Sequence, residues 1–196
     1  MIIVSTDGSC PTDGDAIGWA WVAHGSGRFD SGGAADGTAQ VAELTALRHA
    51  VEAHPGDEPL FVESGSQWAI RCASEWLEGW KAHAWRTASG EEVPHRDAVQ
   101  ALDEAISARP GPVRFRWVRG HVDSPFTTRA RELAELAAQD WAAGRGELDG
   151  LLLDDSAARE TSHGPVDGPE PEPVGARRAS STPTSGPGWE LGTLFD

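Results

Sequence analysis

The sequence predicts an α/β domain, a five-stranded mixed sheet flanked by helices, followed by a C-terminal tail that does not fold by itself. Three observations carry this reading. Short β-branched runs with a period of two precede a long segment of helical period. The element order β-β-β-α-β-α-α-β-α fits a mixed sheet covered by helices. Beyond about residue 148 the apolar periodicity stops.

Ile2 to Ser5 forms the first strand and Ala16 to Val22 the second, with Trp19 and Trp21 on alternate positions and the turn Pro11-Thr12-Asp13-Gly14 between them. A third strand is expected at Gly27 to Ser31, ended by a turn at Gly32-Gly33. From Thr38 to His54 the period changes: Val41, Leu44, Leu47 and Val51 recur at helical spacing, Thr38 is placed to cap, and Pro55-Gly56 stops the helix. Pro59 to Val62 is the fourth strand. Ser66 to Trp80 is expected to be one helix, with Trp76 and Trp80 one turn apart. Residues 95–108 form another helix between Pro94 and Pro110, Val113 to Val118 alternates as the fifth strand, and Pro125 to Ala143 is the last helix.

These boundaries divide the chain into a folded domain at 1–146, an acidic Pro/Gly/Ser-rich linker at 147–188 expected to be disordered, and a short apolar motif at 189–196. The linker has too few large apolar residues to offset the entropy of ordering it. Trp189, Leu191, Leu194 and Phe195 then crowd into the terminus, which marks the segment from Trp189 to Phe195 as a possible docking peptide for a protein partner or for the domain itself.

The formal net charge is -15. Residues 1–145 carry 13 Lys and Arg against 21 Asp and Glu, and residues 146–196 carry 3 against 10, so both parts are acidic. Nonspecific binding to nucleic acid is therefore disfavoured, and any such surface must be a local basic patch. The stripe Arg114, Arg116 and Arg119 is the one concentrated candidate. Two cysteines, Cys10 and Cys72, make no disulfide framework and have no metal-ligand spacing, which points to a reducing cytosol. The start MIIVSTDGSC lacks a basic leader followed by a long apolar run, and no window approaches a membrane span. A soluble cytoplasmic protein is the expectation.

Several motifs stand in order along the domain. Thr6-Asp7-Gly8-Ser9-Cys10 follows the first strand, and Ala42-Glu43-Leu44 sits in the first helix. Ser64-Gly65-Ser66-Gln67-Trp68-Ala69 follows the fourth strand, and Trp76, Trp80, Lys81 and Trp85 are spaced along the segment after it. Arg119-Gly120-His121 follows the fifth strand and leads to Thr127-Thr128-Arg129-Ala130-Arg131-Glu132-Leu133-Ala134. Together these resemble the type 1 ribonuclease H family over roughly residues 1 to 144.

The resemblance implies a ribonuclease H-like fold and cleavage of RNA in RNA–DNA hybrids by a site in which four carboxylates hold two magnesium ions. Asp7 and Glu43 match the first two carboxylates, as catalytic and metal-binding residues, and His121 matches the assisting histidine of the flexible loop. The family pattern T-D-S-Q-Y-V puts its third aspartate where this chain has Gly65. The pattern G-H-x6-N-E-R-x-D-E-L-A puts the fourth at Arg131, a permanent cation where a divalent ion should bind. Glu63, Glu132 and Asp123 are the acids near enough in sequence to be weighed as substitutes. Arg131 is instead expected to reach in and bridge Asp7 to Glu43 with forked hydrogen bonds.

Substrate contacts implied by the resemblance fall on Ser9, Cys10, Thr38, Gln40, Gln67, Trp80, Lys81 and Trp85. They are thinned: the family's G-N-P-G turn reads Thr12-Asp13-Gly14-Asp15 here, its T-N-N reads Thr38-Ala39-Gln40, and Thr127 replaces an asparagine. Read without the family, Trp76, Trp80 and Trp85 are core and hinge packing rather than base-stacking platforms. The favoured function is a nucleic-acid-related homologue of hybrid endonucleases with impaired or absent catalysis. The alternatives are an active, divergent ribonuclease H using Mg2+ or Mn2+, and an adaptor acting through its tail. The partner is then an RNA–DNA hybrid or another nucleic acid, bound weakly, with no cofactor required if hydrolysis is lost.

Overall fold

The computed structural model describes residues 1–12, 15–119 and 124–146. Its strands are β1 (Ile2–Ser9), β2 (Ile17–Ala23), β3 (Phe29–Ala34), β4 (Leu60–Ser64) and β5 (Val113–Trp117). The helices are α1 (Ala39–Glu52), α2 (Gln67–Arg71), α3 (Leu77–Ala82), α4 (Arg96–Ala108) and α5 (Pro125–Ala142), with a π-helical turn, Cys72–Trp76, joining α2 to α3. The predicted linker and the terminal peptide lie outside the described residues.

The five strands form one sheet in the order β3-β2-β1-β4-β5. β1–β2 and β2–β3 are antiparallel, whereas β1–β4 and β4–β5 are parallel. At their carboxyl ends the neighbouring strands β1 and β4 part, β1 turning back within the sheet into the antiparallel β2 and β4 running into α2. That divergence opens a crevice, the usual place for a ligand on an α/β sheet.

Strand alternation sorts side chains between two layers. On one face Val4 of β1 and Leu60 and Val62 of β4 are buried with Leu44, Leu47 and Val51 of α1 and Val99 and Leu102 of α4. On the other face Ala20 and Val22 of β2 pack against Ala130, Leu133 and Ala134 of α5. Each fully buried Leu or Val contributes about 1.5–3 kcal/mol, so these two layers hold α1 and α5 against opposite faces of β1. Thr38 caps α1 as expected, its hydroxyl accepting the Val41 N–H at 3.3 Å.

Two expectations about elements are corrected. Gly32-Gly33 is not a turn but lies inside β3, because both glycines are sites of close approach: a Cβ on Gly32 would sit 2.7 Å from the Trp19 ring, and one on Gly33 would sit 2.2 Å from the Ile17 carbonyl oxygen. Gly27, expected to begin that strand, lies in the β2–β3 reversal, with φ +69°. The helix expected from Ser66 to Trp80 runs without interruption from Gln67 to Ala82, but its middle turn, Cys72–Trp76, is π-helical instead of α-helical.

Candidate metal site and nucleic-acid groove

Asp7 occupies the last turn-out of β1, opposite Ala20 in register, and so faces the α5 side of the sheet. Glu43 reaches the same place from α1. Gly8 makes this possible: a Cβ there would lie 2.4 Å from the Glu43 amide nitrogen and 2.5 Å from the Ala42 carbonyl carbon, so helix backbone rests directly on strand backbone. The Asp7-Gly8 pair thus supplies a carboxylate and the gap through which α1 brings a second.

The two acids perturb each other. Burial raises the Asp7 carboxyl to about 6, with the Glu135 charge adding to the rise and the Arg131 charge opposing it. Burial, reinforced by the charge of Asp7, raises Glu43 to about 8, while a hydrogen bond from the Ser64 hydroxyl at 3.2 Å pulls it down. Two carboxyls placed together in a half-dry crevice resist losing both protons unless a cation joins them.

The third family position is open. Gly65 follows β4, where Thr6 and Ser64 are the last register pair of the parallel strands β1 and β4. It offers no side-chain donor. A Cβ added to Gly65 would meet nothing within 4 Å, and its backbone is outside the left-handed region. The fourth position, Arg131 of α5, is exposed. The expected fork does not form: among the described residues Arg131 makes no ion pair with Asp7 or Glu43, and its charge acts on Asp7 through space alone.

Neither of the weighed substitutes among the described residues, Glu63 and Glu132, enters this pair. Glu63 is 4% exposed and is held away by Arg116, which ion-pairs with it, and by Ser5, whose hydroxyl lies 3.5 Å from its Oε2. Ser5 also meets His24 Nε2 at 2.8 Å and the Thr127 hydroxyl at 3.3 Å, so Thr127 is absorbed into a buried network instead of facing a ligand. Glu132 pairs with Arg129 at 3.4 Å. His121 and Asp123 lie outside the described residues. Glu135 was missed by the motif reading, yet its charge acts on Asp7. The signal was present, since it stands four residues after Arg131 and so one turn along the same helix face. Among the described residues no three of His, Cys, Asp and Glu gather in a ligand-like group. A two-ion set therefore does not fit the described residues, which supply two carboxylates and one hydroxyl there.

The groove residues divide. Ser9, opposite Gly18 at the end of β1, is half-buried, and the Cys10 thiol donates to the Thr12 carbonyl at 3.1 Å. The Thr38 hydroxyl is used as the cap of α1. Gln40 and Gln67 are exposed in the first turns of α1 and α2. Trp76, Trp80 and Trp85 pack against the main core, as the reading without the family had it, and Trp76 and Trp80 lie 5.6 Å apart. Lys81 is held by Asp103 at 2.9 Å and Glu78 at 3.6 Å. Its charge is therefore largely spent within the protein.

The basic stripe is also corrected. Arg114 and Arg116 pair in register with Phe61 and Glu63, but Arg119 is out of phase with them and lies over the Trp117 ring at 5.3 Å. An even spacing would be needed for one face, and 116 to 119 is odd.

The RNase H family model matches residues 1–140. The ribonuclease H of Tropheryma whipplei (strain Twist) is 33% identical over 150 residues, spanning 76% of this chain and 91% of that protein. Among solved structures, a foamy viral protease-reverse transcriptase in complex with RNA/DNA hybrid superposes with a TM-score of 0.60 at 16% identity, covering 70% of this chain and 20% of that one. LC9-RNase H1, described as a type 1 RNase H with the type 2 active-site motif, superposes with a TM-score of 0.59 at 20% identity, covering 71% and 72%. These structural likenesses establish the fold. No helix among the described residues is long and apolar enough to cross a membrane.

Proposed function

Because this chain belongs to the ribonuclease H family, we propose that it recognises RNA–DNA hybrids through the family groove while hydrolysing them very slowly or not at all. One observation carries the reading: Asp7 and Glu43 are brought together, but the position that should complete their set is Gly65, with open space in place of a ligand. A pair of magnesium ions needs hard oxygen ligands on both ions, and two carboxylates cannot share themselves across that set. Arg131 adds a positive charge acting on Asp7, which opposes a cation there.

The groove supports binding better than chemistry. Gln40 and Gln67 present exposed amides in the first turns of α1 and α2, the helices that carry Glu43 and follow Gly65, and amides of this kind suit the minor groove of a hybrid. Affinity is weak, because the net charge is -15 and Lys81 is already paired. The test is to measure binding and Mg2+- or Mn2+-dependent cleavage of one labelled hybrid by the full chain. Binding without turnover above the Asp7→Asn background supports the proposal, and absence of any hybrid binding refutes it.

A second reading, an active divergent ribonuclease H, has one observation in its favour. Glu135 places a negative charge within reach of Asp7. Turnover abolished by both Asp7→Asn and Glu135→Gln would establish it.

A further inference from the structure

Trp117 stands apart from the other described tryptophans. It is 37% exposed, whereas Trp19, Trp21, Trp68, Trp76, Trp80, Trp85 and Trp141 are buried or half-buried. It is also fixed: its indole N–H donates to the Gly65 carbonyl at 3.0 Å, and the next residue's amide, Val118 N–H, donates to the Ser64 carbonyl at 2.9 Å. Ser64 is the residue whose hydroxyl bonds Glu43. The exposed ring is thus clamped to the strand end that forms the wall of the candidate groove, with Gln67 beginning the helix that follows.

Arg119 completes the feature. Its guanidinium lies 5.3 Å from the centre of the Trp117 ring, within cation–π range, so a cation and an aromatic ring are presented side by side. Several cations of the domain are held by carboxylates, among them Arg71 by Glu75, Arg96 by Glu92 and Arg116 by Glu63. Among the described residues Arg119 has no carboxylate partner. On a strongly acidic protein, an arginine over an anchored, exposed ring, with no carboxylate partner among the described residues, is complementary to a phosphate and a base together.

The base must be unpaired. In a duplex or hybrid both faces of each base are covered by its neighbours, so a ring face or guanidinium plane can be met only by a nucleotide that has left the stack or extends beyond it. We propose that Trp117 and Arg119 form a stacking site for an unpaired nucleotide flanking the hybrid held in the groove, which makes the preferred ligand a hybrid with a single-stranded extension. This rests on the hybrid-binding reading above.

The test compares the affinity of the full chain for a blunt RNA–DNA hybrid and for the same hybrid bearing a short single-stranded extension on either strand, by fluorescence anisotropy. The extended ligand should bind about ten-fold tighter. Trp117→Leu and Arg119→Ala, checked for folding by circular dichroism, should each reduce that ratio toward one. Trp117→Phe should keep most of it, because the ring remains although the bond to Gly65 is lost. Equal wild-type affinity for both ligands overturns the inference and leaves hybrid binding standing, whereas no binding to either overturns both. A preference that survives Arg119→Ala together with Trp117→Leu also overturns it, and one lost in a folded Trp117→Phe assigns Trp117 to holding the Gly65 strand end instead of stacking.

Discussion

Replacing Glu43 by Gln should flatten the pH dependence of stability between pH 6.5 and 8.5. Folding raises Glu43 from an ordinary 4.5 to about 8, so between those values the folded state holds a proton that the unfolded state has released. Stability contributed by that proton is complete below pH 4.5 and is lost as pH rises through 8. Each pH unit is worth at most about 1.4 kcal/mol, and integrating a group of pKa about 8 from pH 6.5 to 8.5 gives a loss of about 2 kcal/mol. Other perturbed groups weigh less across this window and act alike in both proteins; His24, lowered by burial and by Arg116, bears only on its acid edge. Asp7 at about 6 completes most of its titration below it, and His49, lowered to about 4 by burial and Arg48, acts in the opposite sense at acid pH. The Cys72 thiol, pushed up to about 12 by burial, matters only above it. With a urea m-value of about 2 kcal/mol per molar, the wild-type midpoint should fall by about 1 M across the window, while Glu43→Gln, which keeps an acceptor for Ser64, should stay nearly level. Parallel curves for the two proteins would refute the placement of Glu43 as a buried acid beside Asp7.

The remaining predictions concern the surroundings of that pair. Gly8→Ala forces a methyl into the backbone of α1 and should cost about 2–3 kcal/mol, a drop of roughly 4–10 °C in Tm by thermal unfolding. Carboxyl NMR titration should show Asp7 rising above about 6 in Arg131→Gln and falling below it in Glu135→Gln, since the first charge lowers it and the second raises it. Arg116→Ala strands the buried Glu63 without its cation and should cost about 2 kcal/mol in urea unfolding, less than for a wholly buried pair because Arg116 is 64% exposed.

The architecture was legible because strand and helix periods are local properties. Val41, Leu44, Leu47 and Val51 announce α1, and the alternation of Val113 and Phe115 with Arg114 and Arg116 announces β5. What failed was what depends on a distant partner. Gly32-Gly33 carries a turn signature, and only Trp19 and Ile17 across the sheet reveal that the glycines make room. The π-helical winding of the turn after Arg71 has no signal in the sequence that we identify. In the site, Asp7 and Glu43 were found by motif, and the emptiness at Gly65 follows from its lack of a side chain. Arg131 was expected to bridge because its position alone was considered. Its reach depends on a long side chain at the surface, which prefers water when one of the two acids it would join, Glu43, holds its proton at neutral pH and leaves only Asp7 charged. Glu63 looked available from its place on β4, and Arg116, 53 residues away in sequence, is what removes it.

The most direct measurement is magnesium-dependent cleavage of a labelled RNA–DNA hybrid by the wild-type chain and by the double variant Gly65→Asp with Arg131→Asp. Gly65 has space for the new side chain, and the second change removes the opposing charge while adding the other missing carboxylate. The wild type should show no turnover above the Asp7→Asn background, each single variant should stay at that level, and the double variant should gain measurable turnover. Robust wild-type turnover that Asp7→Asn abolishes would contradict the account.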